Sequence, residues 1–278
     1  MITLSDDPRL NLARGALGAV RIVHDPTLPP RVLRVVDAEG NEFFAKHHSE
    51  RDRYIRELHA YLTWGANLIG HVPRVVGRQD RTCTLLLTAV PGVRVDSVAP
   101  GSPEEEQAHY EAGRVLGKLH HATSVARTGA VGTELAQRLR NWTARANRAG
   151  LISAIEHDRL SHHADVLTNT LMDSAVCHLD YQPRNWILGD VFGLCDFEHM
   201  RRDARIRDFA RLEFRRWQAA PNLRTAFFAG YGRPPNDTEQ RLLESFGAIE
   251  AVTALVRGHE QDDLALSTHG RTVLARLP

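Results

Sequence analysis

The sequence predicts an α+β protein, with strands concentrated in the first 91 residues and helices through most of the remaining chain. Three observations predict it. Short apolar or alternating runs bounded by turn residues recur at 19–24, 31–36, 41–47, 75–80 and 82–88. At 50–64, and through most of the chain after 102, apolar residues fall at helical spacing. A single stretch of that helical region, 176–198, returns to a strand pattern: VCHLDYQPRNWILGDVFGLCDFE.

In chain order, 7–18 reads as a short helix carrying Leu10, Leu12 and Leu17. The strand at 19–24 leads into a proline-rich turn, 25–30, and the strands at 31–36 and 41–47 flank the hairpin turn Asp37-Ala38-Glu39-Gly40. The helix at 50–64 puts Tyr54, Leu58, Tyr61 and Leu62 on one face, with Glu57 near it. Two more strands end at the Pro91-Gly92 break, which divides the chain into 1–91 and 92–278. Ser102 as N-cap, Pro103 at the first position and acids in the first turn open a helix that reaches about His121. Helices at 134–173 have Trp142, Leu151, Ile152, Ile155, Leu160, Val166 and Leu171 as apolar positions. Those after 220 have Phe227, Phe228, Tyr231, Leu242, Phe246, Ile249, Val252 and Leu255.

The bulk numbers exclude several classes. The 278 residues are 42% hydrophobic and 25% charged, ordinary for a globular chain. A formal net charge of +1 offers no global field for nucleic acid or an anionic membrane, and no partner of either kind is expected. Cys83, Cys177 and Cys195 lie far apart in apolar runs and read as buried thiols of a reducing compartment, so the expected location is cytoplasmic. MITLSDDPRL lacks a basic region followed by an apolar core, so no signal peptide is expected, and no apolar run approaches the ~18 residues of a membrane helix. His120, His121, His162 and His163 read as core or surface histidines, with no ligand spacing around them. Nothing in the pattern favours a monomer over a dimer.

The chemistry concentrates in 176–198. Asp180, Asn185 five residues later and Asp196 eleven residues after that are the polar groups phosphoryl transfer needs: one carboxylate to orient an attacking hydroxyl, an amide and a second carboxylate to hold Mg²⁺ on nucleotide phosphates. Two short strands around Gly189-Asp190 form a hairpin with Asn185 before the first and Asp196 after the second, so its closure brings both ligands to one ion.

The set His178-Leu179-Asp180, Asn185 and Asp196-Phe197-Glu198 resembles the catalytic and metal-binding loops of the protein kinase-like fold. Within that fold it is most similar to the aminoglycoside phosphotransferase family, with choline kinase-like enzymes next. The family's loop is His-Gly-Asp-x-x-x-x-Asn, and Leu179 stands where it has Gly, which stiffens the turn. The resemblance implies a bilobal fold: a small N-lobe (1–91) with an antiparallel sheet and one helix, a larger, mainly helical C-lobe (92–278), and the nucleotide between them. It makes Lys46 the lysine on the phosphates of ATP, or of GTP, and Glu57 its ion-pair partner, with Glu50 the competitor. The backbone of Leu87, Thr88, Ala89 and Val90 would meet the adenine. The phosphate-covering loop should join the two strands before the lysine strand, which places it at 24–30 with Thr27 offering a hydroxyl; Gly15-Ala16-Leu17-Gly18 is then a helix end. Asp208-Phe209-Ala210 resembles the family's Asp-Leu-Ala, whose Asp braces the catalytic loop. His178 is expected to brace the same loop, and Glu198 to support a second metal or the substrate side.

Asp196 and Asp208 are twelve positions apart with no Ala-Pro-Glu, which leaves no room for a peptide-docking segment and points to a small acceptor. Helices at 134–173 are where the family builds acceptor specificity. Glu134, Glu156, Asp158 and Asp165 there, and Glu239, Glu244, Asp262 and Asp263 later, are the carboxylates available to a cationic substrate, or else solvated helix faces. Seven arginines fall within 201–216; they read as a basic patch for nucleic acid or substrate phosphate, or, given interleaved Asp203, Asp208 and Glu213, as ion pairs along a helix. The expected function is transfer of the γ-phosphate to a hydroxyl of a cationic antibiotic, an aminoglycoside or a basic cyclic peptide. The alternatives are a metabolic kinase for choline, a sugar or an amino alcohol, and a non-catalytic nucleotide-binding regulator.

Overall fold

The computed structural model describes residues 7–277; the first six residues of MITLSDDPRL lie outside them. The chain begins with α1 Pro8–Leu17, β1 Arg21–Val23, β2 Val32–Val36, β3 Glu42–His47, α2 Arg51–His59, β4 Val75–Gln79, β5 Thr84–Thr88 and β6 Val93–Arg94. Then come α3 Pro103–Thr123, β7 Val125–Thr128, α4 Ala130–Arg148, α5 Ala154–Asn169, β8 Met172–Cys177, β9 Trp186–Leu188, β10 Gly193–Leu194 and β11 Arg201–Ala204. It closes with α6 Arg207–Leu212, α7 Pro221–Tyr231, α8 Asp237–Glu260 and α9 Leu264–Arg276. Two compact units result. The first runs to Ala108 and takes in Pro183–Arg201; the second comprises His109–Gln182 and the chain from Arg202 onward.

The first unit is built on a five-stranded antiparallel sheet in the order β1-β2-β3-β5-β4. α1 covers it. Asp7 accepts from the Arg9 N–H at 2.9 Å, Pro8 opens the helix, and Gly18 at φ 77° closes it with an N–H to Arg14 O. Gly15 to Gly18 is therefore a helix end. Ala13 of α1 packs on Val35, Phe43, Ala45 and Leu86 in a small apolar core. Register pairs Lys46 of β3 with Val32 and Leu85, which places it in the middle of the sheet. β10, β9 and β6 form a second, three-stranded sheet in this unit.

α2 continues into a π turn, Ala60–Trp64. Its wider winding shifts the phase of the apolar face, so Tyr54 and Tyr61 are buried but Leu62, expected beside them, is exposed. Cys83 also departs from expectation: it sits in a left-handed turn at φ 49° and is only half-buried.

The second unit is helical around one small sheet, β11-β8-β7. α8 is its axis, opened by a capping box of Asn236 and Glu239 and packed against α4, α5, α6 and α9. α3 crosses α7 where both chains carry glycine: a Cβ on Gly113 would strike Phe227 O, and one on Gly230 would strike Tyr110 O. Phe209, Trp217, Phe227, Phe228 and Tyr231 cluster there, with Phe209 and Tyr231 ring centres 5.0 Å apart. Burial of each aromatic side chain contributes about 1.5–3 kcal/mol. Ile155, expected in the core, is exposed because α5 buries Leu160, Ala164 and Leu167 instead, and Leu171, between α5 and β8, is exposed as well. His163, expected at the surface, is buried on that same face. Its Nδ1 lies 3.2 Å from Ser245 Oγ of α8, and burial, with His162 alongside, lowers its pKa to about 4. Among the described residues no helix is long and apolar enough to cross a membrane.

Candidate active site

β8 delivers His178-Leu179-Asp180 at its C-terminal end. Leu179 has φ 63°, the left-handed conformation that a side chain disfavours. Asp208 holds the turn in place. Its carboxylate accepts the N–H of His178 at 2.8 Å and of Leu179 at 2.6 Å, and lies 3.1 Å from His120 Nε2. His120 Nδ1 reaches the Tyr231 hydroxyl at 3.0 Å. Asp180 is 1% exposed; its N–H donates to His178 Nδ1 at 3.3 Å, and its carboxylate accepts from Gln182 Nε2 at 2.5 Å and from the Arg211 guanidinium.

The first unit holds the other groups. β9 and β10 form the expected hairpin. Pairing reaches its ends, because Cys195 N–H donates to Asn185 O at 3.0 Å, which sets Asn185 beside the residue preceding Asp196. Asn185 is buried. Asp196 turns out of the hairpin at φ 65°, and its side chain is 24% exposed. Cys195, expected to be a buried thiol, is half-buried like Cys83; burial, with Asp196 alongside, pushes its thiol up to about 12.

Lys46 is the cation at the centre of this group. Its Nζ lies 2.8 Å from Glu57, 2.5 Å from Asp196 and 3.4 Å from Glu198. Burial alone would lower its pKa, but the Glu57, Asp196 and Glu198 carboxylates hold it above the ordinary lysine value. Burial would raise Glu57, and Lys46 with His48 outweighs it and keeps the carboxyl low. Glu57 also accepts the Phe197 N–H at 3.3 Å, and Tyr61 packs edge-on against Phe197 at 5.0 Å. Glu50 is instead the N-cap residue of α2 and pairs with Arg53. Glu198 is matched by Arg31 at 2.9 Å as well as by Lys46, so its carboxylate belongs to an ion network. His48, Glu57 and Glu198 hold their ligand atoms close together, with the Lys46 ammonium against the same two carboxylates.

The 24–31 segment joins β1 to β2, the strand pair before Lys46. Thr27 Oγ1 donates to Asp25 at 2.6 Å, and the Thr27 carbonyl accepts from Arg94 at 3.3 Å. In the segment Leu87, Thr88, Ala89, Val90, the N–H groups of Thr88 and Ala89 donate to Arg74 O and Glu42 O.

Four of the eight carboxylates read as available to a cationic substrate are engaged elsewhere. Glu156 caps α5 and pairs with Arg271 at 2.7 Å; Asp165 pairs with Arg140 at 2.9 Å; Glu239 holds Arg205 and Arg233; Asp263 caps α9. Glu134, Asp158 and Asp262 are exposed and Glu244 is half-buried. None lines the cavity of about 140 Å³ that opens in the second unit at Leu179 and Arg211, where the carboxylate is Glu250.

Residues 21–244 match the model of a family described as "Phosphotransferase enzyme family". No sequence among curated proteins matches the chain. Solved structures with a similar fold include a choline/ethanolamine kinase family protein from Mesorhizobium loti, 16% identical, with a TM-score of 0.69, covering 99% of this chain and 94% of that one. A streptomycin–ATP ternary complex of APH(2")-IIa is 13% identical, TM-score 0.65, covering 99% and 97%. Macrolide 2'-phosphotransferase MphH from Brachybacterium faecium is 14% identical, TM-score 0.61, covering 93% and 92%. The α+β, kinase-like fold expected from 176–198 is the one these structures share. Matched over most of its length, the chain belongs to the phosphotransferase enzyme family.

Proposed function

We propose that the protein moves the γ-phosphoryl group of ATP, or of GTP, to a hydroxyl of a small molecule. The observation that carries this reading is the buried Lys46 held between Glu57 and Asp196, with Asn185 at the other end of the same hairpin. Lys46 holds phosphate oxygens, and Glu57 keeps its ammonium charged and aimed. Asn185 and Asp196 would hold Mg²⁺. An amide oxygen and a carboxylate are the hard donors this ion prefers, and the Asp196 carboxylate is open enough to reach it. Bound there, the ion offsets charge on the phosphates. Glu198, tied to Arg31 and Lys46, fixes the lysine more than it serves a second metal.

Asp180 accepts a hydrogen bond from the acceptor hydroxyl and turns it in line. The transition state is loose, so this is chiefly positioning, with the proton leaving late. Asp208 braces the turn through the two N–H groups it accepts, and His178 braces it from the Asp180 side. Residues 1–91 are assigned the nucleotide and 92–278 the acceptor. The loop of Thr27 covers the phosphates, and the backbone of Leu87, Thr88, Ala89 and Val90 meets the base through groups other than the two N–H donors engaged in the sheet.

The similar structures support a small hydroxylated acceptor. An aminoglycoside or basic cyclic peptide would make the chain a resistance enzyme. Choline, a sugar or an amino alcohol would make it metabolic; the similar structures include antibiotic phosphotransferases, which support the first reading, and a choline/ethanolamine kinase family protein, which supports the second. A non-catalytic regulator is disfavoured because Lys46, Asp180, Asn185 and Asp196 are all present. Incubation with Mg-ATP across aminoglycosides, cyclic peptides, macrolides, choline and sugars, with mass spectrometry of each, tests the reading. An acceptor that gains one phosphate in an Asp180-dependent way supports it. Bound ATP with no acceptor phosphorylated would point to the regulator.

A further inference from the structure

The cavity beside the catalytic turn has an unusual lining. Arg138, Arg207, Arg211, Arg215 and Arg257 face it, with Glu250 as the carboxylate among them. Arg207, Arg211 and Arg215 recur at four-residue spacing along α6 and the π turn Glu213–Trp217 that continues it, so they share one face. Each of these three touches one carboxylate: Arg207 meets Asp203, Arg211 meets Asp180, and Arg215 meets Glu250 at 2.7 Å. Arg257 lies over the Trp142 ring at 5.6 Å, where Arg145 already stacks at 4.1 Å. Burial lowers the pKa of Arg211, and Arg215 and Arg257 lower it further against the opposing pull of Glu250.

We propose that this cavity receives an anionic group of the acceptor, a carboxylate or a phosphate on a small hydroxylated molecule, with Arg211, Arg215 and Arg257 as the residues that bind it. The proposal rests on the phosphotransferase reading, because the hydroxyl being positioned is the one at Asp180. Like charges so close repel one another, and an oxyanion relieves that repulsion where an ammonium would add to it. Guanidinium groups offer paired N–H donors in a fork that matches carboxylate and phosphate oxygens. A cavity of about 140 Å³ holds one such group and a short stem, not a whole polycation. The contact of Arg211 with Asp180 adds a consequence. An oxyanion in the cavity competes for that guanidinium and releases a carboxylate oxygen to the acceptor hydroxyl, so charge recognition and readiness for transfer are linked.

The test uses the full chain loaded with magnesium and a non-hydrolysable ATP analogue, so that the nucleotide site is filled. Calorimetric titration with inorganic phosphate and, separately, with acetate reads the cavity; the anion that binds names the acceptor's group. Arg215→Gln and Arg257→Gln should each weaken that binding about tenfold or more while nucleotide affinity is unchanged. Arg257→Gln leaves no carboxylate partner behind in the described contacts, which guards against a folding artefact in Arg215→Gln. Turnover on a matched set (a neutral sugar, its sugar acid, its sugar phosphate, and choline) should favour an anionic member, with KM raised and kcat little changed in both variants. Nucleotide binding together with phosphorylation of only neutral or cationic acceptors overturns the anion assignment alone. Anion binding that is absent, or equal in both variants and the wild type, overturns it as well. A protein that binds no nucleotide overturns the phosphotransferase reading and this proposal with it.

Discussion

Two charged clusters, one in each unit, are built in opposite senses. In the first unit a single ammonium, Lys46, is surrounded by Glu57, Asp196 and Glu198. In the second, five guanidinium groups surround a cavity and three of them meet one carboxylate each, Asp203, Asp180 and Glu250. Arg31 pairs with Glu198 at 2.9 Å and with Asp196 at 3.5 Å, and Asp196 is the most exposed of the three carboxylates. Carboxylates gathered around one ammonium suit a divalent cation, and guanidinium groups gathered around a cavity suit an oxyanion. The difference teaches that family membership and acceptor charge are separate properties: the family resemblance rests on the motif residues, whereas the arginines around the cavity fall outside that motif.

The largest expected effect comes from removing the carboxylate of the second cluster that lies on the catalytic turn. Asp180→Asn should keep the fold and the nucleotide affinity but lower turnover by about 10²–10⁴-fold, the usual contribution of a positioned acid–base group. Near-normal turnover in a steady-state assay would remove Asp180 from the chemistry. Next is the cation of the first cluster. Lys46→Met leaves Glu57, which is fully buried, and Glu198 with fewer counter-charges, and breaking a buried pair costs about 3–5 kcal/mol. Urea unfolding should register that loss. A variant as stable as the wild type would mean that Arg31 and Arg53 alone neutralise the cluster.

The contrast also separates what could be read from the sequence from what could not. The first cluster was legible because its members are local or ordered along the chain: Asn185 and Asp196 flank one hairpin, and Lys46 and Glu57 sit on a strand and the helix that comes after it. Arg31 was not legible, since it meets Glu198 across 167 positions and nothing in its surroundings marks it. His120 and Asp208 are separated by 88 positions in the same way. The second cluster was half legible. Arginines at four-residue spacing announce one helix face, but no pattern tells whether that face meets carboxylates, solvent or a cavity. Of the carboxylates at 134–263, read as available to a cationic substrate or else as solvated helix faces, Glu156, Asp165, Glu239 and Asp263 went to helix caps and arginine pairs, and Glu134, Asp158 and Asp262 lie on exposed faces. Leu62 went astray for a local reason, the π turn, whose wider winding no apolar periodicity announces.

Glu250 sharpens the comparison through pH. Burial would raise its carboxyl, but the His269 hydrogen bond and Arg215 bring it down to about 2 from 4.5. A depressed carboxylate stabilises the fold fully above its unfolded value and loses that contribution as pH falls through the folded one. The window is therefore pH 4.5 down to about 2, and the contribution at neutral pH is on the order of 3 kcal/mol. Unfolding free energy measured across that window should fall steeply for the wild type and less steeply for Glu250→Gln. Equal slopes would show that Glu250 is not the carboxylate that balances the arginine face.

The smallest effect is expected where the catalytic turn itself departs from the family pattern. Leu179 at φ 63° carries strain of about 1–2 kcal/mol that Gly would not. Gly in return gives the unfolded chain more freedom, a cost of roughly 0.5–1 kcal/mol, and removes a side chain that lines the cavity. These terms oppose each other, so Leu179→Gly should shift stability by less than about 1 kcal/mol in thermal unfolding. The more telling readout is kinetic. If Asp208, by accepting the two N–H groups of the turn, already fixes its geometry, kcat should be nearly unchanged. KM for the acceptor should rise because one wall of the cavity is gone. A large fall in kcat with KM unchanged would instead make the stiffness of Leu179, not the Asp208 brace, the feature that aims Asp180.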